Sequence, residues 1–130
     1  MTGSKILLDT SIVIAWLNGE QIIADKIDKA DKVYIPIIVL GELYYGAHYS
    51  LNVRANVANI DKIVKNHELL NTNAETASRY GLIKVLLRRK GKPIPENDIW
   101  IASIAQHHEL TLITRGKHFE RVQSLSIENW

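Results

Sequence analysis

Short aliphatic and β-branched runs alternate along this chain with segments whose apolar residues recur every three or four positions, and that alternation leaves few folds open. Lys5 to Leu8 is an apolar run that meets Asp9, Thr10 and Ser11, then Ile12 to Leu17, closed by Asn18 and Gly19. The order predicts a strand, a helix cap, a helix and a C-cap. Ile22, Ile23, Ile27 and Ala30 predict a second helix, and Val33, Tyr34 and Ile35 a second strand that Pro36 ends. Pro suits the first turn of a helix, so Ile37 to about Tyr49 reads as a third helix. Val53, Val57, Ile60 and Val64 predict a fourth, Leu69 with Leu70 a short strand, and Thr72 with Glu75 a capping box that opens a long helix to about Lys90. Gly91 to Pro95 break it, Asn97 is expected to cap a sixth helix over Asp98 to about His108, and Leu110 to Thr114 reads as a strand. Arg115 to Arg121 reads as a loop and Leu125 to Glu128 as a final edge strand.

Strands joined through helices need crossover connections, so the expected fold is α/β, with a mostly parallel sheet covered on both faces. Ligands in such folds gather beyond the carboxyl ends of the strands, where Asp9 and the segment Thr114 to Lys117 should lie. The 130 residues suit a single domain, 1–130, with no linker and no internal repeat.

The chain has no cysteine, which excludes a disulfide framework, thiolate metal sites and a cysteine nucleophile, and fits a reducing cytoplasm. The longest apolar stretch, Val33 to Leu40, contains a Pro and falls far short of the roughly 20 residues that span a bilayer. Asp9, Thr10 and Ser11 interrupt the apolar run from Ile6 to Leu17, and no small-residue cleavage site follows, so the chain is expected to be mature and cytoplasmic, with no membrane partner. A net charge of +2 is too slight to identify a nucleic-acid binder, so the distribution of charge carries more weight than its sum.

The common catalytic signatures are missing: no G-x-S-x-G, no Walker A pattern, no G-x-G-x-x-G and no H-E-x-x-H. His107 and His108 are adjacent, about 100° apart on a helix, and are read with His48, His67 and His118 as ordinary histidines. Three acids lack polar company. Asp9 follows Ile-Leu-Leu, Asp98 precedes Ile-Trp-Ile-Ala, and Glu42 has Ile38, Val39, Tyr45 and Gly46 as its helical neighbours. A carboxylate in apolar surroundings is costly unless compensated, and three in one pocket would repel one another unless a hard divalent cation joined them. Each also has a structural reading: Asp9 as a helix cap, Asp98 as a charge on a helix dipole, Glu42 as the partner of a buried Arg.

The runs Leu7-Leu8-Asp9-Thr10-Ser11, Gly41 to Ala47, Pro95 to Ala102, and Leu112 to Arg115 followed by His118-Phe119 resemble the PIN domain, specifically VapC-type toxins. The resemblance reaches to the terminal Ile127-Glu128-Asn129-Trp130. It implies a PIN-like three-layer α/β/α sandwich and a Mg²⁺- or Mn²⁺-dependent endoribonuclease. Asp9, Glu42 and Asp98 carry over onto the family's first three acids, with Asp9 and Asp98 holding the ion. Where the family often has a fourth acid this chain has Gly116, and Glu120 corresponds to the Glu that some relatives offer instead. Thr10, Ser11, Asn97 and Thr114 are expected to orient the carboxylates or the waters around them, or to serve as caps and strand-end hydrogen bonds. The resemblance also implies RNA as substrate, a VapB-type antitoxin whose tail enters the acidic cleft, and a homodimer.

Lys84, Arg88, Arg89, Lys90 and Lys92 cluster near Asp98 in sequence, and Arg88, Arg89 and Lys92, with Arg115, are candidates to seat RNA phosphates or to remain a solvated face. A receiver-type phospho-acceptor domain fits less well, because it wants adjacent acids after the first strand. A catalytically weak PIN-like binding module and a structure-specific DNA nuclease also compete with the endoribonuclease reading.

Overall fold

The computed structural model describes residues 4–130. The elements run β1 (Lys5–Leu8), α1 (Thr10–Leu17), α2 (Gln21–Lys29), β2 (Lys32–Pro36), α3 (Ile37–Tyr49), α4 (Val53–Asn66), β3 (Glu68–Leu70), α5 (Ala74–Arg89), α6 (Glu96–His107), β4 (Thr111–Thr114), a 3₁₀ turn (His118–Arg121) and β5 (Ile127–Asn129). The five strands form one sheet in the order β3-β2-β1-β4-β5, and every pairing is parallel. Right-handed crossovers put α1 to α4 over one face and α5 with α6 over the other, which makes the three layers of the expected α/β/α sandwich.

The central strands are continuous apolar runs because both of their faces are covered: Leu7, Leu8, Leu112 and Ile113 have no exposed surface. Each such side chain contributes about 1.5–3 kcal/mol by leaving water. Helix α6 is the most enclosed, with Ile99, Ile101, Ala102, Ile104 and Ala105 buried, and its buried Ser103 donates to the Ile99 carbonyl at 2.6 Å.

The chain moves outward from β1 to β2 to β3, then returns to lay β4 on the other side of β1. That reversal opens a crevice beyond the carboxyl ends of β1 and β4, where loops diverge to opposite faces. The Asp9 N–H donates to the Ile113 carbonyl at 3.0 Å, so Asp9 and the end of β4 are tied together at its mouth.

Two expected caps shift by a residue or more. The long helix α5 is capped by Asn73 rather than Thr72: Asn73 accepts from the Thr76 N–H and Thr76 reciprocates, which completes the box. Glu75 is drawn away to the His107 Nε2 at 2.6 Å, so it cannot serve Thr72. Helix α6 starts at Glu96 with Pro95 at the N-cap, whose carbonyl accepts from the N–H of Asp98 at 3.0 Å. Asn97 therefore lies inside the first turn and does not cap. Leu110 precedes β4, and the last strand begins at Ile127 rather than Leu125. At the predicted stops after α1 and α5, Gly19 and Gly91 take positive φ of 83° and 66°, a conformation that costs glycine little.

Candidate active site

Asp9 stands at the N-cap of α1, where its carbonyl accepts from Ile12 and Val13, yet its carboxylate makes no capping bond. The side chain is buried at 5 % exposure, and its Oδ2 accepts from the Ser11 hydroxyl at 2.9 Å and the Thr114 hydroxyl at 2.7 Å. Thr114, wholly buried at the end of β4, in turn accepts the Gly116 N–H at 2.9 Å. Ser11 accepts the Arg115 N–H at 3.2 Å. One oxygen of Asp9 is thus fixed by hydroxyls from two elements. Its Oδ1 has no protein donor among the described residues, and no buried side-chain oxygen or nitrogen there lacks a partner, so Oδ1 faces the open crevice.

Glu42 projects from α3, half-buried, and its Oε1 accepts from the Thr10 hydroxyl at 2.6 Å. Among the described residues no Arg or Lys pairs with it, so the ion-pair reading of this mid-helix acid finds no partner. Asp98 lies in the first turn of α6, where the positive end of the helix dipole favours an acid. Its side chain is 20 % exposed, and Oδ2 lies 3.4 Å from the His118 Nδ1. Burial first, and then the negative charge of Asp9, hold the Asp98 carboxyl above the usual carboxylate range, with Glu42 adding a smaller push and His118 opposing. Asp98 therefore lies in the field of both Asp9 and Glu42, although Asp9 is 89 residues away in sequence (98 − 9).

The donor set is all hard oxygen, as Mg²⁺ or Mn²⁺ prefers. Each carboxylate has one oxygen tied to a neighbour and one without a protein donor among the described residues. No three Asp, Glu or His side chains among those residues converge closely enough to hold a metal ion between them, so an ion here would rest on two carboxylates and water. An open site of this kind fits Mg²⁺, which keeps several of its waters and binds through one or two carboxylates.

The other candidates divide. Thr10, Ser11 and Thr114 lie against the acids, whereas Asn97 is exposed and makes no side-chain hydrogen bond among the described residues. Glu120 is exposed on the 3₁₀ turn, with no ion pair to Lys117 or Arg121; Arg121 donates instead to the Pro93 carbonyl at 3.0 Å. Arg88, Arg89 and Lys92 are exposed at the end of the α5–α6 pair that also carries Asp98, while Lys84 is bound to Glu96 at 2.7 Å. Arg115 grips both oxygens of Glu20 at 3.1 and 2.7 Å and donates to the Trp130 carbonyl at 3.0 Å, which locks the loop after β4.

His118, read from sequence as ordinary, brings its ring to within 3.4 Å of an acid of the crevice, Asp98. The available signal was the adjacent Phe119, an aromatic residue that the fold buries to 1 % exposure. The helical argument that separated His107 from His108 also fails, since α6 ends at His107 and the two rings lie 4.2 Å apart. Thr76 and Glu75 occupy both nitrogens of His107, at 3.0 and 2.6 Å. Burial and the charge of His107 press the His108 pKa down.

Residues 6–125 match the PIN domain family. Ribonuclease VapC2 of Haemophilus influenzae is 36% identical over 129 residues, covering 97% of this chain and 98% of the relative. The tRNA(fMet)-specific endonuclease VapC of Salmonella typhimurium is 32% identical over 129 residues, with coverage of 97% and 98%. Among solved structures, VapBC2 from Rickettsia felis, bound to a DNA fragment from their promoter, superposes with a TM-score of 0.90 at 30% identity, covering 96% of this chain and 98% of the other.

Proposed function

This chain belongs to the PIN domain family, in its VapC branch, and from that premise we propose that it is a divalent-metal-dependent endoribonuclease of the cytoplasm, restrained by a VapB-type antitoxin. Residues 1–130 act as one domain. The observation that supports the reading is the convergence of Asp9, Glu42 and Asp98 at the crevice between β1 and β4, with no Lys or Arg paired to them among the described residues; burial first and then the charge of Asp9 raise the Asp98 pKa.

Asp9 and Asp98 hold the ion, Mg²⁺ or Mn²⁺, with Glu42 acting directly or through a water. When bound, the cation supplies polarisation of a phosphodiester oxygen and an activated water for in-line attack, so no protein nucleophile is needed. Ser11 and Thr114 keep Asp9 in one orientation, and Thr10 does the same for Glu42, which lowers the cost of assembling the site. Glu120 is assigned to substitute for the acid absent at Gly116. Arg88, Arg89 and Lys92 seat the flanking phosphates, and Arg115, engaged by Glu20, holds the loop instead. A basic residue on the antitoxin tail neutralises the same acids, and the toxin acts as a homodimer.

The test is cleavage of RNA by the purified chain with Mg²⁺ or Mn²⁺ and with EDTA. Asp9→Asn, Glu42→Gln and Asp98→Asn should each abolish cutting while circular dichroism stays unchanged. Wild-type rates from all three variants, or indifference to EDTA, refute the reading. Light scattering at micromolar concentration checks the dimer.

A further inference from the structure

We propose that the groove between α1, α3 and α4 is a nucleobase pocket that seats one unpaired base of the RNA beside the scissile phosphate; the inference rests on the ribonuclease reading above. The groove holds about 340 Å³, and Glu42, its one charged lining residue, accepts from the hydroxyl of Thr10, the neighbour of Asp9, so the groove lies next to the acidic crevice.

The lining specifies the occupant. Leu17, Leu43 and Ile60 provide apolar walls, and Asn18, Asn56 and Asn59 set amides among them. Asn18 and Asn59 form no side-chain hydrogen bond among the described residues, while Asn56 spends its amide nitrogen on the Ser50 hydroxyl at 2.8 Å and keeps its carbonyl oxygen as an acceptor. Apolar walls with uncharged donors and acceptors suit the faces and edge of a heterocycle. No Lys or Arg lines the groove, so it does not suit a phosphate, and one carboxylate at the rim does not suit an acidic segment.

The α3 surface adds an independent feature. Tyr45 and Tyr49 are 70% and 81% exposed, and their rings stack with centroids 6.0 Å apart. Tyr45 is three residues from Glu42, so this aromatic ridge runs from the acid along the same helix and offers a face for the next base. Stacking and edge recognition both require bases that have left a duplex. Tyr44 holds α3 to α4 through Asp61 at 2.6 Å, so the slot is built into a braced helix pair.

Gly46 gives the means to fill the slot, since a Cβ there meets nothing within 4 Å. The experiment cleaves RNA hairpins carrying each base in turn at the loop positions flanking the cut, using wild type, Gly46→Leu and Asn59→Ala in Mg²⁺. Wild type should prefer one base at one position by about tenfold, and both variants should lower that preference to about threefold or less. Asn59 is exposed with no protein bond to lose, so its variant tests the pocket without threatening the fold. An unaltered preference in both variants overturns the proposal, as does a wild type that cuts every hairpin equally. If Gly46→Leu loses a VapB tail peptide yet keeps its base preference, the groove is a protein-docking site and the proposal also falls. A wild type that cuts no hairpin refutes the ribonuclease reading itself.

Discussion

Replacing Thr114 by Val removes one hydroxyl from the centre of the crevice while keeping nearly the same volume. That hydroxyl donates to Asp9 at 2.7 Å and accepts from Gly116 at 2.9 Å, in a residue with no exposed surface. Losing a hydrogen bond to a charged acceptor costs about 1.5–3 kcal/mol, and stranding the Gly116 N–H adds to it, so Thr114→Val should cost about 3 kcal/mol. Against a typical total of about 5–15 kcal/mol this is a large fraction, and it should lower Tm by roughly 10 °C. Thr114→Ser keeps the hydroxyl and loses one buried methyl, worth about 1 kcal/mol. The assay is guanidinium unfolding in EDTA, followed by circular dichroism, with the same substitutions repeated on Asp9→Ala. There the Val substitution should cost at least about 1 kcal/mol less, because its acceptor is gone. Calorimetric Mn²⁺ affinity should fall about tenfold or more in Thr114→Val, as expected when a ligand loses the group that orients it. Equal costs for Val and Ser, or an undiminished cost without Asp9, would refute the reasoning.

The raised pKa of Asp98 fixes the sign of a pH effect. The folded chain holds that proton more tightly than the unfolded one, so the contribution of Asp98 to stability is full below the unfolded pKa of about 3.9 and is lost as pH rises through the folded value. In EDTA, Asp98→Asn should be more stable than wild type at pH 7 and should lose that advantage on acidification; parallel stability curves would contradict this. A Cβ at Gly116 would stand 3.4 Å from the Thr114 Oγ1, so Gly116→Asp is accommodated beside the crevice. It should tighten Mn²⁺ binding by calorimetry and restore cleavage to Glu120→Gln, and a silent Glu120→Gln removes Glu120 from the site. Arg88→Ala with Arg89→Ala, placed on Asp9→Asn to prevent cutting, should lower the salt slope of RNA binding by up to about two units, and an unchanged slope leaves them as surface charge.

The strands were legible because burial on both faces leaves a continuous apolar signature, as in Ile6-Leu7-Leu8 and Leu112-Ile113. Helix starts were less legible, because they depend on competition between side chains that sequence spacing cannot resolve. Thr72 and Glu75 have the spacing of a capping box, but His107, 32 residues beyond Glu75, wins the carboxylate. The three acids stood out by their apolar company, which is a local property. The hydroxyl that holds Asp9 from Thr114 spans 105 residues, and the imidazole beside Asp98 spans 20, and no local pattern announces either. Arg115 makes the same point: its sequence position beside the crevice suggested a phosphate ligand, whereas the fold brings Glu20 within reach of its guanidinium.

The crevice is built from elements that each tolerate one negative charge and cannot together neutralise three. Helix α6 directs the positive end of its dipole at Asp98, a contribution of about 0.3–1 kcal/mol, and the hydroxyls of Thr10, Ser11 and Thr114 are neutral donors. Among the described residues no Lys or Arg pairs with Asp9, Glu42 or Asp98, and the partial relief His118 gives Asp98 depends on protonation. On the proposed reading, this uncompensated charge makes the site receptive to one added positive charge from either of two sources, a divalent ion or the basic side chain of an antitoxin tail. On the proposed reading these compete for the same carboxylate oxygens, so by linkage the factor by which the metal weakens the tail equals the factor by which the tail weakens the metal.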